Sequence, residues 1–255
     1  MRKYFLMTAY SFRYNASNQK EIVIRSLFFM AILYIFSKLW AATTFSDQLL
    51  HSKMLWYLQF TEIIILSIPA IQVDIENDIR SGDIVYHLLK PVTYLWLKIA
   101  DAVGAFLFRF LILSIVGAPF CFYLSNYLPP LHTLFITSFL AALAGLVFIL
   151  FHITIGLTAI RLEDSSPVYW IWQRSSFLFG GMLLPLSYYP WYLQYISYVL
   201  PFAALLYAPA RLMLYFCLED CLIALIGIVF WGCIAYLCAT WLFRRLLYSL
   251  KVNGG

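Results

Sequence analysis

Three ionisable residues lie within apolar stretches of the chain, and their side chains are the ones best placed to do chemistry. They are Glu62, Arg109 and Arg174. An ionised side chain inside a bilayer costs about 2.5 to 3.5 kcal/mol, so such groups face a protein interior, a partner chain or a water-filled path. One interpretation makes Glu62 a contact for a substrate or a gate. The interpretation that we favour is structural: Glu62 pairs with Arg109 or Arg174, or extends toward an interface.

The other polar residues form no recognisable catalytic pattern. The sequence contains neither H-E-x-x-H nor G-x-S-x-G, and no two carboxylates lie close together within one apolar stretch. We interpret His152 as a hydrogen-bonded residue between helices, because no carboxylate or second histidine follows it at the spacing of a metal site. Asp74, Glu76 and Asp78 could together hold a metal ion, but the simpler interpretation is the acidic end of a solvated loop. Neither enzymatic activity nor a metal or cofactor bound by this chain is predicted.

Composition assigns the chain to the integral membrane proteins. Hydrophobic residues make up 64% of it and charged residues 11%, whereas soluble domains carry about 25% charged residues. The mean hydropathy is +0.84. A net charge of +5 could attract nucleic acid, but the basic residues gather near the chain ends, which is typical of membrane orientation signals. Membrane lipids, and not nucleic acid, are therefore the expected surroundings.

Six apolar stretches of roughly 20 residues predict six membrane-spanning helices in one all-α domain covering residues 1–255. The stretches are residues 26–45, 54–73, 102–124, 131–160, 168–186 and 222–243.

The segment before the first span, residues 1–25, mixes basic and aromatic side chains. This mixture predicts a helix that lies in the membrane interface. A cleavable signal peptide is the alternative, but the apolar run is short and no small-residue cleavage site follows it.

Lysine and arginine residues indicate the orientation of the spans. Residues 1–25 carry five of them, residues 74–98 carry three, and the tail after residue 243 carries three. The opposite side carries Lys53, Arg211 and, if its side chain extends outward, Lys38. By the positive-inside rule, we expect a multi-pass protein of the bacterial inner membrane with both termini in the cytoplasm.

Residues 187–221 form an irregular region between the last two predicted spans. They are too apolar for an ordinary loop, yet prolines such as Pro190, Pro201 and Pro209 interrupt them repeatedly. Non-helical backbone at membrane depth must be covered by protein or line a cavity, so we expect one or two short re-entrant helices on the outer side. A pair of proline-kinked spans is the alternative, and it would place the basic tail outside.

Residues 74–98 form the longest polar interruption of the chain, and we expect them to stand in water between the second and third spans. Ser81, Gly82 and Asp83 provide a turn and a helix cap. A short helix is predicted next, and it ends at Lys90 and Pro91. Its apolar residues, which share one side, are Ile84, Val85, Leu88 and Leu89. This apolar face requires a protein partner.

The run DIRSGDIVYHLLKPV resembles the cytoplasmic loop of permease subunits of type-2 ATP-binding-cassette exporters. In that family a pattern of IR, G, LL and PV forms the coupling helix. Its positions are occupied by Ile79, Arg80, Gly82, Leu88, Leu89, Pro91 and Val92. Residues 180–209 are similar to the family's fifth span and outer re-entrant helices. The matching residues there are Gly180, Gly181, Pro185, Tyr189, Pro190, Trp191, Pro201, Phe202, Tyr207, Ala208 and Pro209.

The resemblance implies that transport and ATP hydrolysis are carried out by separate chains. No lysine follows a glycine here, so the G-x-x-x-x-G-K-[ST] loop that holds nucleotide phosphates is absent. ATP and magnesium would therefore belong to a separate ATPase subunit, and a second permease chain would complete a homodimer or heterodimer. The residues expected to couple to the ATPase are Asp78, Ile79, Arg80, Gly82, Asp83, Ile84, Val85, Leu88, Leu89, Lys90 and Pro91.

The resemblance also implies export, and the scarcity of charge in the spans favours an amphipathic or lipid-like substrate. The alternative function is a proton-coupled secondary transporter that works without an ATPase and uses Glu62 or His152 as a proton relay. Such a carrier predicts internal repeats, but residues of the first three spans do not resemble those of the last three.

Overall fold

The computed structural model describes residues 2–42, 48–89 and 92–253, which form helices joined by turns and short connections. The α-helices are α1 (Arg2–Ser17), α2 (Gln19–Ala42), α3 (Gln48–Ser67), α4 (Ile71–Arg80), α5 (Asp83–Leu88), α6 (Tyr94–Ser125), α7 (Leu131–Leu157), α8 (Ala159–Leu162), α9 (Ser166–Phe179), α10 (Trp191–Val199), α11 (Ala208–Arg211) and α12 (Leu218–Asn253). A 3₁₀ turn at Leu186–Tyr188 and a π-helical turn at Ala203–Tyr207 accompany them. The predicted all-α architecture is confirmed for the described residues.

Five described segments are long and apolar enough to cross a membrane. They are Lys20–Ala42, Gln48–Arg80, Tyr94–Ser125, Leu131–Leu162 and Leu218–Tyr248. They overlap the spans predicted at 26–45, 54–73, 102–124, 131–160 and 222–243, although residues 43–45 lie outside the described part of the chain.

A sixth crossing is reached only by counting a bent pair of helices as one broken span. The pair is Trp191–Val199 with Ala203–Arg211, and the two axes meet at 88°. Pro201 lies at the break between the two helices, and proline cannot donate the backbone hydrogen bond that would continue the first of them.

The stretch predicted as the fifth span, residues 168–186, is helical only in part. Helix α9 has 14 residues, and at 1.5 Å per residue it reaches about 21 Å, less than the roughly 30 Å of a bilayer core. The helix ends at two glycines, of which Gly181 has a φ of +63° that lies outside the helical region. Apolar sequence therefore continues beyond the end of the helix.

Helix α3 lies at the centre of the bundle. In the apolar stretch that contains it, 83% of the residues are buried, against 22% for α2 and 17% for α12. It packs against α2, α6 and α7, and its side chains Trp56 and Tyr57 are fully buried. Helices α2 and α12 leave most of their apolar surface for lipid or another chain to cover.

Helix α1 lies directly on α6, and a glycine sets the distance between them. A Cβ atom at Gly104 would collide with a backbone carbonyl of α1 and would lie 2.8 Å from the Ser11 Cβ. The Ser11 hydroxyl donates to the Asp101 carbonyl of α6 at 2.8 Å. On the other side of α1, Tyr10 and Tyr14 are exposed. The helix predicted within residues 1–25 is thus present, and its contact with α6 fixes its position.

Pro69 separates α3 from α4 in the long second segment. The backbone around a proline leaves carbonyl oxygens without their helical donors. Arginine side chains from two other helices take over this role. Arg25 of α2 donates to the Leu66 carbonyl at 2.7 Å, and Arg109 of α6 lies 3.5 Å from the Ile68 carbonyl.

Side chains of α3 cover a second non-helical stretch, which follows α9. The Tyr57 hydroxyl donates to the Gly181 carbonyl, and the Thr61 hydroxyl lies 3.0 Å from the Met182 carbonyl. The central helix therefore satisfies backbone groups that the end of α9 leaves unpaired, as irregular backbone inside a bundle requires.

Replacing Tyr57 by phenylalanine removes the donor to Gly181 and keeps the ring. We expect the free energy of unfolding to fall by about 1 kcal/mol, because a buried carbonyl loses its partner. Thermal unfolding of the purified protein in detergent measures the change. Tyr123→Phe is the matched control, since the Tyr123 side chain is 75% exposed. Equal unfolding temperatures for the two variants would contradict the role given to the Tyr57 hydroxyl.

Candidate functional site

The segment with the features of a contact site consists of α4, α5 and the turn between them, residues 71–89, which we call the α4–α5 segment. The turn depends on Gly82, whose φ of +80° favours glycine over any other residue. The Asp83 backbone N–H donates to the Ser81 hydroxyl at 3.3 Å, but Gly82 stands at the N-cap position and no side chain caps the helix, which corrects the predicted cap. The predicted turn and short helix are confirmed. Residues 71–80, expected in part as a solvated loop, are instead helical.

Asp78 connects the α4–α5 segment to α6. Its carboxylate lies 2.7 Å from the Lys98 ammonium group and accepts a hydrogen bond of 2.8 Å from the Tyr94 hydroxyl. The side chains of Asp78 and Lys98 are only 17% and 13% exposed, so water screens this ion pair weakly. The Tyr94 ring is buried and stacks on Phe243 of α12 at 5.9 Å. Asp78 therefore takes part in a set of nearly buried contacts that joins α4 to α6 and, through the Tyr94 ring, to α12.

Glu76 connects the same segment to the start of α9. Its carboxylate accepts hydrogen bonds from the backbone N–H of Ser165, at 3.1 Å, and from the Ser165 hydroxyl. Arg80 lies 3.1 Å away on the exposed side. Beside it, Asp164 accepts a 2.8 Å bond from the Ser166 N–H, and hydrogen bonds from Ser166 lower the pKa of the Asp164 carboxyl. Glu76 is buried, which corrects its interpretation as part of a solvated loop end.

Helix α5 divides its apolar residues between the core and the surface. Ile84 is 2% exposed and packs into the hydrophobic core, whereas Val85, Tyr86 and Leu89 are 48%, 69% and 79% exposed. The expectation that Ile84 faces a partner is thus corrected, because the residue holds α5 against its own chain. Lys90, Pro91 and the side chain of Leu88 lie outside the described residues, and Ile79 is partly buried against the core.

The three ionisable residues of the spans do not pair with one another. Arg109 lies 2.9 Å from the Glu21 carboxylate, and the same carboxylate lies 2.8 Å from Arg25. Arg174 stacks over the Trp170 ring, 5.2 Å from its centroid. Glu62 is 3% exposed and forms no ion pair within the described residues. The expected pairing of Glu62 with either arginine is therefore corrected.

Some contributors to these contacts were not foreseen from the sequence. Glu21 precedes Arg25 by four residues, the spacing of a helical ion pair, and this was a usable signal. Tyr86 lies within the predicted coupling helix, but it is not among the four aliphatic residues that the sequence assigns to the apolar face of that helix. Ser165 had no signal, since its bond to Glu76 joins residues 89 positions apart.

The five long apolar segments and the buried polar contacts between them define a helical, multi-pass membrane protein. No protein-family model, no curated protein and no solved structure matches this chain.

The two ion pairs of the α4–α5 segment should contribute different amounts to the free energy of unfolding. Asp78→Asn removes the carboxylate that contacts the nearly buried Lys98 directly, and we expect a loss of about 2 kcal/mol of unfolding free energy. Arg80→Met removes a cation whose side chain is 61% exposed, for which we expect about 0.5 kcal/mol or less. Thermal unfolding in detergent compares them.

Adding Lys98→Met to Asp78→Asn removes the charge that has lost its direct contact, so the double variant should recover part of the stability that Asp78→Asn loses. A double variant less stable than both single variants, by the sum of their losses, would show that the two side chains act independently.

Proposed function

We propose that this chain is the transmembrane permease subunit of a type-2 ATP-binding-cassette exporter. The observation that supports this most directly is the α4–α5 segment, in which a six-residue helix is anchored by nearly buried polar contacts and presents Val85, Tyr86 and Leu89 outward. Apolar side chains displayed on a fixed helix are suited to the groove of another protein. The motifs of residues 78–92 and 180–209 add the resemblance to that family.

In the proposed mechanism, α5 is the part of the chain on which the movement of the ATPase acts. A separate ATPase subunit binds ATP and magnesium, and this chain supplies no catalytic residue or cofactor. Closure of the ATPase on ATP tilts α5 in its groove. Because Asp78 binds Lys98 of α6 and Glu76 binds Ser165 before α9, the tilt passes to two further helices. Rigid-body movement of packed helices then alternates access for the substrate.

The proposed topology has six crossings, with both termini and α5 on the cytoplasmic side of a bacterial inner membrane. Helix α9 and the non-helical residues after it would together make the fifth crossing. The bent pair at 191–211 would be re-entrant from the outer side, within the region 187–221. Exposed Trp191 and Tyr195 fit an interfacial aromatic belt there.

A second permease chain completes the proposed transporter, as a homodimer or a heterodimer. The low burial of α2 and α12 supports this, since each offers a long apolar face beyond the chain's own core. The substrate class that fits the apolar bundle best is amphipathic or lipid-like.

A proton-coupled secondary transporter is a second candidate, and one observation favours it. Glu62 is a carboxyl in the central helix, 3% exposed and without an ion pair among the described residues. An ionisable group in such a place is a candidate proton carrier. This function predicts substrate movement driven by a pH gradient in proteoliposomes without ATP, abolished by Glu62→Gln. The exporter predicts no movement until ATP and an ATPase subunit are supplied.

The contact surface on α5 can be tested by binding. Walker-A-containing ATPase subunits from the same genome are co-expressed one at a time with the tagged chain, and complexes are isolated in detergent. We expect one of them to bind, and the double variant Val85→Asp, Leu89→Asp to weaken binding by about a hundredfold or more, since two charges would enter an apolar groove.

The matched control is Leu128→Asp, Leu131→Asp, which places two charges at exposed apolar positions, one in the connection between α6 and α7 and one at the start of α7. This variant should bind the ATPase like the unaltered chain. Equal binding by both double variants would refute the contact surface assigned to α5.

Orientation can be tested by labelling in spheroplasts. The native cysteines Cys121, Cys217, Cys221, Cys233 and Cys238 are first replaced by alanine. In that background, Asp83→Cys should react with a membrane-impermeant maleimide only after permeabilisation, whereas Tyr195→Cys should react in closed spheroplasts. Labelling of Asp83→Cys from the outside would overturn the proposed topology.

A further inference from the structure

A cavity of about 360 Å³ lies beside the Pro69 break, between the end of α3 and helices α7 and α9. Its wall includes Arg25, Pro69, His152, Trp172, Arg174 and Met182. The volume lies in the range of about 300 to 1,000 Å³ that small-molecule sites occupy. Arg174 and Phe177 of the wall are exposed, so the cavity opens to the surface of the chain along α9.

Two buried polar atoms in this wall have no hydrogen-bond partner among the residues that the structure describes. One is Nδ1 of His152, a residue that is 7% exposed, and the other is Nε1 of Trp172. A buried group without a partner costs about 1 to 3 kcal/mol, so native proteins rarely keep one without a reason. Both residues line the same cavity, so a ligand held there, with a small adjustment of the two side chains, would supply the partner that each atom lacks.

The charge of the wall selects an anionic ligand. Its two arginines, Arg25 and Arg174, are not accompanied by any carboxylate among the described wall residues. Arg25 shares the Glu21 carboxylate with Arg109, so Arg25 has no carboxylate contact of its own among the described residues. Arg174 makes no ion pair with the described residues and lies over the Trp170 ring. A net positive charge therefore remains at the cavity.

The remaining wall residues select a ligand that also has a hydrocarbon part. Ile65, Leu66, Phe177 and Met182 contribute aliphatic and aromatic surface, and Phe177 is 47% exposed at the opening. A soluble anion would leave this surface uncovered, whereas an amphiphile covers it with its chain.

We propose that this cavity binds the head group of an anionic amphiphile. An acceptor oxygen takes the Trp172 N–H and faces Arg174. A ligand hydroxyl donates to His152, whose ring hydrogen-bonds the Pro69 carbonyl through one nitrogen and so keeps an acceptor lone pair on the other. Phosphatidylglycerol has this combination of phosphodiester, hydroxyls and acyl chains. The site goes beyond the proposed coupling to an ATPase and does not depend on it.

The test measures binding to the purified full chain in detergent, without any ATPase. Fluorescent short-chain phosphatidylglycerol and phosphatidylcholine with the same acyl chains are titrated separately. We expect phosphatidylglycerol to bind about tenfold more tightly, the effect of one charge-assisted contact. Arg174→Gln should remove most of this preference, and Arg174→Lys should retain it. Arg211→Gln is the matched control, because it removes an equal charge that is paired with Asp220 away from the cavity.

Two further measurements separate the parts of the proposal. Trp172→Phe keeps an aromatic ring but loses the N–H, and it should weaken phosphatidylglycerol binding several-fold. Excess glycerol 3-phosphate, a phosphate monoester that carries at least the negative charge of the head group but no chain, should fail to displace the lipid. The inference is overturned if the two lipids bind the unaltered chain equally, if Arg174→Gln keeps the preference, or if glycerol 3-phosphate alone competes with similar affinity.

Discussion

The structure depends on one constraint: backbone groups inside a membrane must find hydrogen-bond partners within the protein. The chain breaks its helices at Pro69 and again after α9, and each break exposes carbonyl oxygens. Arg25 and Arg109 bind those of the first break, and Tyr57 and Thr61 bind those of the second. The interruptions of the helices therefore account for Arg25 and Arg109 in otherwise apolar surroundings, and for the buried hydroxyls of Tyr57 and Thr61.

Several polar side chains are already engaged by contacts within the chain and therefore stabilise the fold. Arg109 is occupied by Glu21 and the backbone, and Asp78 is occupied by Lys98 and Tyr94. These contacts make the α4–α5 segment and the Pro69 break stable features of the structure. The functional proposals concern two other places, the exposed apolar side of α5 and the wall of the Pro69 cavity.

Hydropathy and local turn chemistry predicted the all-α architecture, five of the long apolar segments and the short helix after Gly82. These features depend on residues close together in sequence, so the sequence shows them directly. The partners of Arg109 and Glu76 could not be predicted, because Glu21 and Ser165 lie 88 and 89 positions away and meet them only after packing. Ile84 shows a similar limit, since the face of α5 that becomes buried depends on the position of α4 and α6.

The close approach of α1 to α6 at Gly104 joins the amino-terminal helix to the helix that carries Lys98. Through α6, α1 is thus connected to the Asp78–Lys98 ion pair beside α5, while Tyr10 and Tyr14 of α1 stay exposed. A rotation of these connected helices would move the two exposed rings through their surroundings. In a membrane, the viscosity and thickness of the lipid around the rings would therefore oppose that rotation.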